Sequence, residues 1–245
     1  MTGASTWIPY CGAAPTPAEW LGRWNLDLVL LAALALLGLA YHFRLRAEAP
    51  ARRGAFAAAM GGLLILFVSP FCALTSALFS ARVVHHVALA AVVAPLLVLS
   101  LPRFRAPSLP LATAIHTVIF WAWHAPGLYA WALSHDWAYW LGQVALLGSA
   151  VLFWAAIRRA SAPAAAAALL VFTVQMGLLG SLITFAAAPL YAPHLASTLA
   201  WGYAPLEDQQ LAGLVMWAPS AGFYLLAALF LVGRWLGQED RLAAA

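Results

Sequence analysis

The sequence predicts an all-α, polytopic membrane protein with seven transmembrane helices. The 245-residue chain is 65% hydrophobic and only 8% charged, whereas soluble domains carry about 25% charged residues. Its apolar residues also fall into runs close to the roughly 20 residues that a helix needs to cross a bilayer. No internal repeat is visible, so we treat residues 1–245 as a single membrane domain.

Seven apolar runs are candidate spans, and polar or proline-containing connections separate them. The fourth run is short unless it continues through the stretch WHAPGLY, and the sixth is rich in alanine, which favours a helix. These spans divide the chain into an N-terminal tail (1–25), a bundle (26–236) with one long loop (187–208), and a C-terminal tail (237–245). The spans are Leu26–Phe43, Gly54–Leu74, Val83–Leu101, Leu109–Trp123, Trp137–Ile157, Ala162–Ala186 and Leu211–Leu236.

The arginines predict how the bundle is oriented. All twelve basic residues are arginine, and positively charged short loops stay in the cytoplasm. Only Arg23 and Arg82 fall on one side of the alternating spans, so the N-terminus is predicted outside and the C-terminus in the cytoplasm. The other ten are Arg44, Arg46, Arg52, Arg53, Arg103, Arg105, Arg158, Arg159, Arg234 and Arg241.

The placement and kind of these basic residues also exclude two functions. Because the arginines are scattered between apolar spans, they form no nucleic-acid-binding stretch. Because the chain contains no lysine, it cannot hold retinal as a Schiff base, which requires a lysine amine.

On this topology, side chains that bind metals collect at the outer face. Histidines stand at the outer ends of the third and fourth spans, and both cysteines lie on the same side. Imidazole, thiolate and thioether suit copper, particularly Cu(I). The candidate metal ligands are His85, His86, His116, His124, Asp208, Cys11, Cys72 and Met216.

Several of these residues also have a structural interpretation. Adjacent helical residues point about 100° apart, so only one of His85 and His86 is expected to face the bundle while the other faces the interface. His116 lies inside an apolar span, where a hydrogen bond to a neighbouring helix would satisfy it. Met216 is more often a packing residue in such a place. Asp208 suits the first turn of a helix, where a carboxylate favours the positive end of the dipole.

Three stretches together resemble the CtaG family of cytochrome c oxidase assembly factors. They are HHVALAAVVAPLLVLSLP, WHAPGLYAWALSH followed by FW at Phe153 and Trp154, and EDQQLAGLVMWAPS. The resemblance covers roughly residues 71–234. It implies a seven-helix membrane protein that matures a haem-copper oxidase at its copper-bearing subunit.

The resemblance also assigns positions within the family pattern. His86 corresponds to the histidine before the AP stretch, His124 to the histidine before P-x-L-Y, and Asp208 to the aspartate of DQQ. This chain departs from the pattern at two places. Arg82 stands where many members have a second histidine, and Gly142–Gln143 stands where many have a Glu-His pair.

The sequence therefore predicts a non-enzymatic assembly factor that handles copper at the outer face of a bacterial plasma membrane. Its expected partners are cytochrome c oxidase subunits, a periplasmic copper chaperone and membrane lipid. The alternative is a transporter for copper or another small cation, but the cytoplasmic halves of the spans are apolar. An intramembrane hydrolase built on His124 and Asp208 is less favoured, because no nucleophile has a motif around it. Whether Cys11 and Cys72 form a disulfide stays open.

Overall fold

The computed structural model describes residues 7, 9–45 and 49–243, and within them the chain is all-α. Arg46 lies outside the described residues, and so does the side chain of Arg241. No strand occurs in the described ranges, which confirms the predicted fold class. The helices are α1 (Leu28–Leu45), α2 (Pro50–Phe67), α3 (Pro70–Ala77), α4 (Phe79–Ala88), α5 (Ala94–Ser100), α6 (Leu109–His124), α7 (Pro126–Ala132), α8 (Asp136–Ile157), α9 (Ala162–Thr184) and α10 (Pro205–Ala243).

Four helices in the described ranges are long and apolar enough to cross a membrane. They are the continuous rod Phe79–Ser100, α8, α9 and most of α10. α2 and α3 meet at a 48° bend, and they count as a fifth candidate span if they form one broken helix across the membrane. The first and fourth predicted spans are also helical, but the apolar helix Leu28–Arg44 and the 16-residue α6 fall short of the 18 residues required of a candidate span. The chain is thus an apolar helical bundle, while the number seven and the orientation stay predictions.

Two proline positions shape the helices that carry the candidate residues. A π-helical turn, Leu89–Val93, joins α4 to α5 within the rod, and Pro95 follows it. Pro95 has no N–H to donate to the carbonyl four residues earlier, and the wider turn accommodates that gap. At the end of α6, Ala125 is extended because it precedes Pro126. α6 therefore stops at His124 rather than continuing through WHAPGLY.

The bundle has two chemically different ends. We call one the cystine end: it holds the Cys11–Cys72 disulfide, the start of α4 and the end of α6. We call the opposite end the arginine end: there Arg158, which follows α8, donates hydrogen bonds to the carbonyls of Val98 and Leu101 at 2.6 and 3.0 Å. Burial lowers the pKa of the Arg158 guanidinium, with smaller effects from neighbouring arginines.

α9 and α10 cross with their backbones in close approach at two glycines. A Cβ on Gly213 would lie 2.6 Å from the carbonyl oxygen of Gly180, and a Cβ on Gly180 would lie 2.8 Å from that of Gly213. Small residues at a crossing let membrane helices approach closely enough for dense packing. This crossing places the start of α10 against the start of α4.

We expect Gly213→Ala to destabilise the protein, because the added methyl group must push two backbones apart. Overpacking of this kind typically costs about 1–3 kcal/mol, which thermal unfolding in detergent can measure. Gly222→Ala is the matched control on the same helix, since a Cβ there meets nothing within 4 Å. Equal unfolding temperatures for the two variants would contradict the close crossing.

Candidate functional site

Asp208 holds the start of α4 from a different helix. It is fully buried in the first turn of α10, not in the loop before it. Its carboxylate accepts hydrogen bonds from the backbone N–H groups of Phe79 and Ser80 at 2.7 and 3.3 Å, and from the Ser80 hydroxyl. Leu78, the residue at the N-cap, offers no side-chain acceptor. Asp208 therefore supplies the cap that the first N–H groups of a helix need.

The next residue, Gln209, connects the start of α10 to the long loop and to the end of α9 by hydrogen bonds. Its side-chain carbonyl accepts from the backbone N–H of Leu190 at 2.6 Å. Its amide group donates to the carbonyl of Ile183 at 3.1 Å. The DQQ stretch thus positions the start of α10 relative to both α4 and the end of α9.

His86 and His124 form a buried pair at the cystine end. The Nδ1 atom of His86 lies 3.2 Å from the Nε2 atom of His124, and the two side chains are 4% and 1% exposed. His124 Nδ1 lies 2.7 Å from the carbonyl oxygen of Phe120. On the far side, the Nε2 atom of Gln143 lies 3.4 Å from His86 Nε2. The sequence prediction had not placed Gln143 in the site.

These contacts determine where the protons lie. A carbonyl only accepts hydrogen bonds, so His124 Nδ1 carries the proton that it donates to Phe120. A neutral imidazole has one N–H, so His124 Nε2 has a free lone pair and accepts from His86 Nδ1. His86 Nε2 is then the acceptor for the amide of Gln143. The result is one directional chain of hydrogen bonds, from Gln143 through both histidines to Phe120.

His85 is buried away from this pair. Its ring is edge-on to Phe67, with centroids 4.8 Å apart, and parallel to Phe71 at 6.3 Å. The expectation that one of the adjacent histidines faces the interface is wrong, because both are buried. Within the described residues, neither ring nitrogen of His85 has a hydrogen-bond partner.

His116 lies deeper and takes the partner on a neighbouring helix that the sequence suggested. Its Nδ1 atom is 3.0 Å from the Ser149 hydroxyl of α8, which itself donates to the carbonyl of Leu146. The ring stacks on Phe172, with centroids 4.4 Å apart. These contacts separate His116 from the pair and support a packing role for it.

The long loop between α9 and α10 covers the pair as an ordered lid. Tyr191 stacks on Phe79, with ring centroids 3.7 Å apart. Its hydroxyl donates to the backbone carbonyl of His124 at 2.8 Å. The loop is thereby attached both to the start of α4 and to the end of α6, the two helices that carry the histidines.

His194 gives the lid a second attachment. Its Nδ1 donates to the carbonyl of Ala77 at 3.3 Å, and its Nε2 accepts from the Tyr129 hydroxyl at 2.6 Å. Burial lowers the pKa of His194 to about 3, and the positive charge of Arg82 lowers it further than the Ala77 carbonyl raises it. His194 is therefore a neutral structural residue near pH 7, and its nitrogens are both in use.

The two cysteines are joined to each other. Cys11 and Cys72 form a disulfide, which ties the N-terminal segment to α3. As a disulfide they offer no thiolate, so a ligand role for either cysteine requires the bond to be reduced first. The open question about their pairing is thereby answered for the folded chain.

The eight predicted ligands thus do not form one cluster. Among the described residues, no group of three or more His, Cys, Asp or Glu side chains could hold a metal ion. His86 and His124 meet, Asp208 caps the helix that carries His86, and Met216 is buried in the main hydrophobic core. The signal that could have revealed Gln143 was a polar amide inside an apolar span.

The comparison with known families adds an independent finding. Residues 33–238 match the family model for the cytochrome c oxidase caa3 assembly factor, Caa3_CtaG. That range includes every candidate residue except Cys11. No curated protein and no solved structure matches the chain.

We expect Asp208→Ala to destabilise the bundle, because it leaves the buried N–H groups of Phe79 and Ser80 without an acceptor. Unsatisfied buried donors cost about 1–3 kcal/mol each, which thermal unfolding in detergent reports. The control is Asp136→Ala, an exposed acid in the first turn of α8. A variant lacking the Asp208 carboxylate but unfolding at the wild-type temperature would disprove the capping role.

Proposed function

From the premise that this chain belongs to the family of cytochrome c oxidase caa3 assembly factors, we propose that it holds Cu(I) between His86 and His124. The ion is cargo, destined for the copper-bearing subunit of the oxidase. The observation that carries the proposal is the approach of two buried imidazole nitrogens to 3.2 Å in a site covered by the lid.

His124 is already arranged as a ligand. Its Nδ1 proton is donated to the Phe120 carbonyl at 2.7 Å, which leaves the Nε2 lone pair directed at His86. A hydrogen bond on the far nitrogen is the usual support for a metal-bound histidine, because it fixes the tautomer and raises the basicity of the ligand. The structure therefore contains one prepared donor.

His86 becomes the second donor by changing tautomer. Its Nδ1 proton occupies the space between the rings, so the proton must move to Nε2 before Nδ1 can bind an ion. Gln143 faces Nε2, and its side-chain carbonyl oxygen has no hydrogen-bond partner in the described residues. Rotation of this amide offers that oxygen to the new N–H. The rings then separate, because two nitrogens on one metal lie farther apart than a hydrogen-bonded pair.

The number and kind of ligands favour Cu(I). A d¹⁰ monovalent ion tolerates two-coordinate binding, whereas structural zinc sites almost always have four ligands. Imidazole binds copper, and the two uncharged imidazoles add no negative charge to attract a divalent ion. A pair of ligands without a third also suits an ion that must be passed on.

We place this site at the outer face of a bacterial plasma membrane, as the arginine distribution predicts. The N-terminus and the lid then face the compartment in which a periplasmic copper chaperone and the oxidase copper subunit meet. Membrane lipid surrounds the bundle, and the protein acts by transfer of an ion without catalysing a reaction. A transporter gains no support, because the matched family is one of assembly factors.

Copper titration of the purified protein tests the proposal. We expect one Cu(I) per wild-type chain and a loss of affinity of at least tenfold in His86→Ala and in His124→Ala, because each removes one of two ligands. His135→Ala is the matched control, since His135 is exposed at the same end of the bundle. Unchanged stoichiometry and affinity in the double variant would reject the copper site.

Assembly in cells provides the second measurement. Deletion of the gene should leave an oxidase deficient in copper, which metal analysis of the purified oxidase detects. Complementation with the His135→Ala variant should restore copper to the oxidase. Complementation with the double variant His86→Ala, His124→Ala should not. A fully metallated oxidase in the deletion strain would contradict the role in copper supply.

A further inference from the structure

A small cavity lies beside the histidine pair, in the interior of the cystine end. Its volume is about 20 Å³, and a cavity needs roughly 10–15 Å³ to hold one water molecule. It is therefore the size of one water or one monatomic ion. The polar residues in its wall are Arg82, His86, Tyr129, Tyr139 and Gln143.

Arg82 is the unusual member of this wall. It is 2% exposed, and its Nε and Nη2 atoms have no hydrogen-bond partner among the described residues. These two N–H groups form one edge of the planar guanidinium, the edge that binds oxyanions and other acceptors in a forked geometry. The protein oxygens near this guanidinium are the uncharged phenols of Tyr129 and Tyr139, so its best donor pair faces no charged acceptor.

The charge of Arg82 is also unpaired. Arginine stays protonated in proteins, and no carboxylate on a described side chain lies within the 4.0 Å that defines an ion pair. Asp208 belongs to the same end of the bundle, but its oxygens accept from the start of α4. The Tyr139 ring lies under the guanidinium, 5.3 Å from centroid to Cζ, and offers a cation–π contact but no negative charge.

Burying an isolated charge costs more free energy than almost any other arrangement in a protein. A charge that reaches neither water nor lipid headgroups can reduce this cost only by binding a counter-ion or another polar group. One water in the cavity would accept hydrogen bonds from the guanidinium but leave its charge uncompensated. We propose that the cavity binds one small monovalent anion, such as chloride, on the Nε–Nη2 edge of Arg82.

The anion has a consequence for the neighbouring pair. Arg82 and His86 are four residues apart on α4, so their side chains lie on the same face of the helix. The positive guanidinium repels any cation at His86, and a bound anion neutralises the charge that causes this repulsion. This consequence rests on the proposed function, whereas the anion site itself does not.

Thermal unfolding of the full-length protein in detergent tests the site without any copper. Chloride is titrated against gluconate at constant ionic strength, because gluconate is too large for the cavity. We expect chloride to raise the unfolding temperature saturably, by roughly 3–6 °C at ten times its dissociation constant. Arg82→Gln should abolish this response. Arg158→Gln, which removes an arginine at the arginine end, should keep the wild-type response.

Anomalous scattering from bromide locates the ion. Crystals soaked in bromide should show a peak beside the guanidinium of Arg82 in the wild type and none in Arg82→Gln. No chloride response in the wild type, or an equal response in Arg82→Gln, would overturn the proposal. So would a response to formate alone, since the ligand would then be a carboxylate. Failure of copper binding with an intact chloride response would reject only the proposed function.

Discussion

The hydrogen bonds from the start of α4 to the buried carboxylate of Asp208 organise this end of the molecule. The rod that carries Arg82 and His86 begins without a cap of its own, and a side chain 129 positions later in the chain supplies one. The crossing of α9 and α10 at Gly180 and Gly213 brings that side chain into place. A helix crossing that contains neither histidine therefore determines where the histidine helix starts.

The need of buried polar groups for hydrogen-bond partners also explains the contacts of the histidine pair and the cavity beside it. In a bundle that excludes water, each donor must find an acceptor inside the protein. His124 and His86 satisfy each other in a chain that runs from Gln143 to the Phe120 carbonyl, and this order leaves two nitrogens directed at one point. Arg82, in the next turn of the helix, lacks such a partner. The two nitrogens of the histidine pair therefore suit a cation that takes the position of the proton between them. The unpaired guanidinium of Arg82 suits an anion in the cavity beside it.

The sequence was sufficient for the all-α fold class, and it placed both histidines of the pair among the candidate ligands. Low charge and long apolar runs are properties of the whole chain, so they survive errors at single positions. The family resemblance singled out His86 and His124, but neither it nor their spacing predicted that they meet, since they lie on different helices. Spacing could not show that His85 is buried between aromatic rings. It also could not show that Asp208 caps a helix, because its partners are backbone N–H groups, which carry no sequence signal.

X-ray absorption at the copper edge of the Cu(I)-loaded protein tests the central claim most directly. The account predicts a low-coordinate site with two nitrogen ligands and no sulfur, because His86 and His124 bind while the cysteines remain in a disulfide. The same spectrum from His124→Ala protein should lose one of these ligands or lose copper altogether. A wild-type spectrum dominated by sulfur, or one left unchanged by His124→Ala, would contradict the assignment of the ion to this pair.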